Sequence, residues 1–131
     1  MSINTGSLFD RARSIVDGAV ESSGTRAEFF TRVSTGLSKP VDTTVWSGPT
    51  IHTIVGATNG ASAREMVPGV VLMPTDWKLV CKASTPVPPE GSFARLLRCK
   101  SKSLIGVDAK LLGVKVDSSG AHVTLFYRPQ P

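Results

Sequence analysis

The densest group of chemically active side chains in this sequence is a cluster of four cations. Arg95, Arg98, Lys100 and Lys102 fall within eight residues that contain no acidic side chain. Cations at this density neutralise phosphates, so they predict salt-dependent, sequence-tolerant binding to a nucleic-acid backbone. The same cluster suits an acidic lipid surface, which attracts each nearby basic residue by about 1 kcal/mol. The residues alone do not choose between these two partners.

Further lysines precede and follow this cluster. If the strands that carry them pair, they form one surface with it. The predicted anion- or nucleic-acid-binding residues are Lys78, Lys82, Arg95, Arg98, Lys100, Lys102, Lys110 and Lys115. Readers of single-stranded RNA usually stack bases on aromatic rings. Phe93 is the one aromatic residue beside the cluster and is predicted to be core, so we expect contacts to the backbone rather than to bases.

The distribution of charge along the chain supports this location. From residue 76 onward nine basic side chains face four acidic ones, which accounts for the whole formal charge of +5. The basic and acidic residues of positions 1–75 cancel. A pI near 9.6 favours attraction to nucleic acid or to an acidic membrane. Alternatively, this charge only keeps a small domain soluble.

Catalytic and metal-binding patterns are missing from the sequence. The acidic residues are scattered singly, and His52 and His122 each lie alone inside a predicted strand. Cys81 and Cys99 have neither a CxxC spacing nor a neighbouring histidine, and the glycines form no phosphate-binding loop. We therefore expect no enzyme, no cofactor and no metal site. Both cysteines are expected to be reduced, with a Cys81–Cys99 disulfide as the alternative.

Two helices are predicted to lead the chain. Ser7 and Asp10 resemble a capping box before an amphipathic stripe, which predicts a helix over 8–21. Thr25 and Glu28 form a second capping box, and the spacing of apolar residues after it predicts a helix over about 26–36. Pro40 prevents the helix from continuing.

After Pro40 the sequence becomes rich in β-branched residues and turns. The strand candidates are 43–46, 50–55, 67–73, 77–83, 104–107 and the two arms 111–116 and 121–127 of a hairpin, with a turn at Gly48-Pro49 between the first two. Residues 93–100 fit a strand or a short helix, and the surrounding strands favour a strand. The predicted fold class is α+β: two N-terminal helices on a mainly antiparallel β-sheet or small sandwich of about six strands. We expect a single domain over 1–131, with a helical lead (1–39) and a β-rich body (40–131).

The sequence also bears on location and assembly. No apolar leader follows Met1, and no apolar run approaches the ~18 residues of a membrane span, so we expect an intracellular, cytoplasmic protein. The charged fraction of 19% is below the typical ~25%. Together with the apolar strands, this low charge favours a homo-oligomer.

In general character the chain resembles the small structural proteins, matrix or coat, that RNA viruses encode. The resemblance rests on length, a helical lead before a β-rich body, a basic C-terminal half and a start at Met1 without a targeting signal, and it carries over no functional residue. The predicted function is a non-enzymatic structural or assembly protein that binds RNA backbone or acidic membrane. The alternative is a protein-interaction adaptor that uses the helical lead or the Pro-rich loop 85–91.

Overall fold

The chain forms a closed antiparallel β-barrel with an α-helix on its outer surface. The computed structural model describes residues 5–34, 36, 39–57, 69–117 and 120–130. The elements are α1 (Thr5–Ser22), β1 (Thr25–Val33), β2 (Val41–Ile54), β3 (Trp77–Lys82), β4 (Phe93–Arg98), β5 (Asp108–Val116) and β6 (His122–Pro129), with 3₁₀ turns at Val55–Ala57 and Lys102–Leu104. The strands follow one another around the barrel in the order β1-β2-β3-β6-β5-β4, and β4 closes the ring on β1.

The barrel interior is the main hydrophobic core, and strand alternation fills it. In β3 the side chains of Trp77, Leu79 and Cys81 are buried, while the intervening residues are half-buried on the outer face. In the sequence, the alternation of these three residues with Lys78, Val80 and Lys82 predicts this orientation, and it is confirmed. The Phe29 ring centroid lies 5.0 Å from that of Trp46 and 5.8 Å from that of Tyr127. Aromatic rings from β1, β2 and β6 therefore meet inside the barrel.

The predicted second helix is wrong, and so is the α+β class with two N-terminal helices. Residues 25–33 form β1, which pairs with both β2 and β4. A helix at this position would leave the ring open and Phe29 outside the core, so tertiary pairing overrides the Thr25–Glu28 capping signal, which is worth only about 1 kcal/mol. A register shift between Phe29 and Phe30 turns the first ring inward and buries the second on the outer face against Phe93. The antiparallel sheet is confirmed.

The turn predicted at Gly48-Pro49 is also wrong, because β2 runs straight through both residues. Gly48 pairs with Ala27 and Pro49 with Arg26, so the two predicted strands 43–46 and 50–55 are one. The indole of Trp46 lies over Gly48: a Cβ built there would stand 2.5 Å from a ring carbon. Glycine is needed here because it lets a core aromatic ring pack on the strand backbone.

The first predicted helix is present and packs outside the barrel against β3 and β2. It begins at Thr5, so Ser7 lies within the helix rather than at its N-cap. Val20, near the end of α1, is completely buried. Gly24, with φ of +75°, provides the left-handed residue that turns the chain from α1 into β1.

Of the remaining strand predictions, some are confirmed and others are wrong. Residues 93–98 form a strand, in which Ala94 and Leu96 face the core. Phe93, which was predicted to be core, lies with Arg95 on the outer face. The hairpin of β5 and β6 around 117–120 is confirmed. Residues 104–107 form no strand, since only a single bridge joins Ile105 to Leu96. Part of the predicted strand 67–73 lies outside the described residues, and residues 69–73 are not a strand.

Candidate functional site

The eight predicted cations do not form one continuous patch. The structure divides them by their partners into three groups: exposed cations at one end of the barrel, cations held in ion pairs, and lysines on the outer faces of β3 and β5. The first group combines exposed cations that are close together in sequence and have no acidic partner among the described residues.

The first group contains three of the predicted cations, Arg98, Lys100 and Lys102. Arg26, which the sequence-based prediction did not include, lies beside them, and these four residues are defined here as the basic rim. Arg26 at the start of β1 lies directly across from Arg98 at the end of β4. The segment after β4 folds back on the strand, since the Gly106 N–H donates to the Leu96 carbonyl at 3.1 Å. All four rim side chains are exposed, and none makes an ion pair with a described residue. The rim is therefore a cluster of uncompensated positive charge.

Arg95, which the sequence groups with these cations, belongs instead to a charge network across the β1–β4 seam. Arg32 donates to Asp42 at 2.8 Å and to Asp108 at 2.8 Å. Arg95 donates to Asp108 at 2.9 Å and lies within 3.4 Å of Asp42. Two arginines and two aspartates cancel, so Arg95 adds little to an anion-binding field.

The network also lies on an aromatic base. The Phe30 and Phe93 rings are stacked at 5.8 Å, and the Arg95 guanidinium lies 4.6 Å from the Phe30 centroid. Hydrogen bonds from Arg32 lower the pKa of Asp42, against the opposing effect of partial burial. Phe93 therefore packs against the charge network on the outer face. It belongs neither to the inner core nor to a surface for stacking nucleic-acid bases.

Two more predicted cations differ in their surroundings. The Lys82 ammonium pairs with Glu21 of α1, which ties the helix to β3. Lys110 is exposed on β5, opposite Phe93 on one side and Arg128 on the other. Lys82 therefore has a structural role. Lys110 stays available to an anion, but it pairs with the start of β4, whereas the rim lies at the end of β4.

Lys78 and Lys115 line a small cavity on the outer face of β3, β6 and β5. Its volume is about 150 Å³, and the other lining residues are Asp117, His122, Thr124 and Phe126. The His122 Nδ1 lies 4.0 Å from an Asp117 carboxylate oxygen. This acidic side chain lies in the same cavity as the lysines, which makes the cavity less favourable for anions than the rim.

A larger cleft borders the basic rim. Its volume is about 510 Å³, and Lys100 belongs both to the rim and to the cleft wall. The cleft lies between Ile51–Ile54 of β2 and the segment 99–104; its lining residues are Ser23, Thr25, Ile51, His52, Thr53, Ile54, Cys99, Lys100, Ser101 and Leu104. The rim and the cleft together form the candidate functional site.

The described residues offer little for metal or thiol chemistry. No group of three or more His, Cys, Asp or Glu side chains in this part of the chain could hold a metal ion. Cys81 and Cys99 are both free thiols. Burial raises the pKa of the Cys81 thiol to about 11, although a hydrogen bond with Thr50 opposes this shift, so the thiol is protonated at neutral pH.

Two residues of this site are absent from the sequence-based prediction. The capping signal assigns Arg26 to a helix, although the alternation of Thr25, Ala27 and Phe29 with Arg26 and Glu28 is a readable strand signal. The sequence gives His52 only a structural role in a strand. Its ring does contact Trp77 edge-on at 5.3 Å, but it also lines the cleft. Burial lowers the pKa of His52, which favours the neutral imidazole.

No protein-family model, no curated protein and no solved structure matches this chain. Within the described residues, no helix combines the length and apolar character needed to cross a bilayer.

Proposed function

We propose that this chain is a non-enzymatic structural or assembly protein whose basic rim binds the phosphate backbone of RNA. The observation that carries the proposal is the contrast between cations. Arg32, Arg95 and Arg128 are each paired with an aspartate, whereas the four rim cations are exposed and lack an acidic partner among the described residues. A cluster of uncompensated cations is the surface that gains most from neutralising phosphates.

The shape beside the rim favours RNA over a membrane. Lys100 lies on the wall of a concave cleft that also contains hydroxyl-bearing residues, including Thr53 and Ser101. A bilayer surface is broad and cannot enter such a cleft, whereas a nucleotide chain can. We propose that the protein acts inside the cell, and a role of the matrix or coat type stays a prediction.

Binding to RNA is expected to weaken steeply as salt rises. Each phosphate neutralised on a single strand contributes about −0.7 to the slope of log K against log salt, so four rim contacts predict a slope of about −3. Fluorescence anisotropy of a labelled single-stranded RNA, titrated at several salt concentrations, measures this slope. No RNA binding at low salt would overturn the proposal. Binding only to vesicles with acidic lipids would show that the rim binds a membrane surface instead of RNA.

Assembly is proposed to use the free edge of β2 over residues 41–50. These residues pair with β1, whereas residues 51–54 pair with β3, so 41–50 has a strand neighbour on only one edge among the described residues. Val41 and Val45 are exposed, and positions 41–47 contain no lysine and no proline, the usual protections of a strand edge. The part of β5 beyond residue 110 also has a strand neighbour, β6, on only one edge among the described residues, but Lys115 and a bulge between Leu111 and Gly113 protect that edge. Antiparallel pairing of this β2 edge with that of a second copy gives a two-fold dimer.

The β2 edge predicts a dimer that a single charge disrupts. Size-exclusion chromatography with light scattering should give the mass of two chains for the native protein and of one chain for Val45→Lys, because a lysine at the pairing edge opposes strand addition. Val87→Lys, at an exposed valine of the Pro-rich loop, is the matched control and should remain dimeric. A native monomer, or a dimer that Val45→Lys leaves unchanged, would contradict this interface.

A further inference from the structure

The cleft beside the basic rim exists because β2 is longer than its neighbour. β1 begins at Thr25 opposite Thr50, so Ile51–Ile54 has β3 along one edge and no described strand along the other. The segment 99–104 passes on the far side of this gap and forms the opposite wall. A volume of about 510 Å³ lies within the range of about 300–1,000 Å³ typical of small-ligand sites.

The walls of the cleft combine the features that an unpaired base requires. Ile51, Ile54 and Leu104 supply apolar contact, and the half-buried His52 lines the same wall. Because burial lowers the pKa of His52, this ring is uncharged at neutral pH and can stack on a base as a neutral aromatic.

Polar groups for recognition are present at the same place. The hydroxyls of Thr53 and Ser101 line the cleft and make no hydrogen bond with another described residue. The Ser23 hydroxyl, by contrast, is engaged with the carbonyls of Val20 and Thr50 at 2.8 and 2.7 Å. Two uncommitted hydroxyls can exchange hydrogen bonds with the edge of a base.

The charge at the edge of the cleft favours an anionic ligand. Among the described residues that line the cleft, Lys100 is the one with a full charge at neutral pH, and it is also a member of the rim. A ligand that fills the cleft and extends past Lys100 is therefore favoured if it carries anionic groups next to the part that enters the cleft. A nucleotide chain has this arrangement, with its phosphates outside and its bases free to turn inward.

We infer that the cleft takes one unpaired base of the RNA whose phosphates lie on the basic rim. This inference rests on the proposed function and makes it specific: the protein prefers single strands. A paired base is stacked inside a duplex and cannot reach a pocket walled by β2 and the segment 99–104 without being extruded. The expected order of affinity is single-stranded RNA above duplex RNA and above a polyanion without bases.

The test compares three ligands at one salt concentration: a labelled single-stranded RNA, the same sequence as a duplex, and inorganic polyphosphate as competitor. Ile54→Ala should weaken binding of the single strand about tenfold, since it removes most of the apolar contact that this side chain can make with the base. Polyphosphate affinity should stay unchanged, because the rim is intact. Val116→Ala, at another exposed strand residue, is the control and should change neither affinity.

The outcomes separate this inference from the proposed function. If the single strand and polyphosphate bind alike and Ile54→Ala alters neither, the cleft takes no base, while the rim keeps its role. If neither ligand binds at low salt, both proposals fail. A thermal melt of each variant checks that the barrel is folded, and Thr53→Val, which keeps side-chain shape, provides a second variant of the same wall.

Discussion

Reversing two charges of the basic rim, Arg98→Glu together with Lys102→Glu, is expected to weaken binding of single-stranded RNA on the order of 100-fold at low salt. Each substitution removes one attraction to a phosphate and adds one repulsion. The slope of log K against log salt should become shallower by about 0.7 for each phosphate that the variant no longer neutralises. Both side chains are exposed and make no ion pair with a described residue, so the free energy of unfolding should change by less than about 0.5 kcal/mol.

The matched control is Lys110→Glu together with Lys115→Glu. It changes the net charge by the same amount, and both lysines are exposed on β5 away from the rim. Anisotropy titrations of the two double variants side by side separate a local site from overall charge. Equal losses of affinity would show that only the net charge of the protein attracts RNA, and the rim would lose its assignment.

Local patterns in the sequence were sufficient to predict the elements whose signal lies within one strand or one turn. The alternation of Trp77, Leu79 and Cys81 with Lys78 and Lys82 predicted the correct inner and outer faces of β3. The turn residues at 117–120 predicted the hairpin of β5 and β6. In both cases the information lies within a few neighbouring residues, where alternation and turn chemistry act directly.

Barrel closure was not predictable in the same way, because it depends on residues far apart in the chain. Thr25 and Glu28 carry a genuine helix-start signal, yet pairing of this stretch with both β2 and β4 outweighs it. Gly48-Pro49 is typical of a turn. The Trp46 ring that lies over the glycine explains why it is part of a strand here, and this contact is not visible in the sequence.

The same limit applies to the candidate site. Arg95 and Arg98 are close in sequence, but Arg95 reaches Asp42 and Asp108 while Arg98 faces Arg26. A count of nearby charges cannot distinguish these environments, since the partners lie on other strands. The structure therefore separates Arg95 from the other three cations of the cluster and brings Arg26 beside Arg98 in its place.

The largest expected loss of stability comes from the ion pair between Asp76 and Arg128, which the sequence did not reveal. The Asp76 carboxylate is completely buried and accepts two hydrogen bonds from Arg128, from Nε and Nη2, each at 2.9 Å. It also accepts the Met73 N–H at 2.7 Å, and Arg128 donates to the Val71 carbonyl at 3.0 Å. These contacts fix the segment before β3 against the end of β6. They also raise the pKa of Arg128, chiefly through its bonds to Asp76.

Arg128→Leu is expected to lower the free energy of unfolding by about 3 kcal/mol, measured by urea denaturation. Removing one partner of a buried pair leaves the other charge without compensation, which costs about 3–5 kcal/mol, and the partial exposure of Arg128 places the expectation at the lower end. Arg98→Leu is the control, an exposed strand arginine without a described ion pair, and should change stability little.

A second variant separates the buried charge from simple packing as the cause of this loss. Adding Asp76→Asn to Arg128→Leu should restore part of the stability, because a neutral amide can still accept the Met73 N–H without burying a charge. If Arg128→Leu costs no more than Arg98→Leu, the carboxylate is not isolated from water. If the double variant is no more stable than Arg128→Leu alone, the loss comes from packing of the leucine, and the buried charge is not its cause.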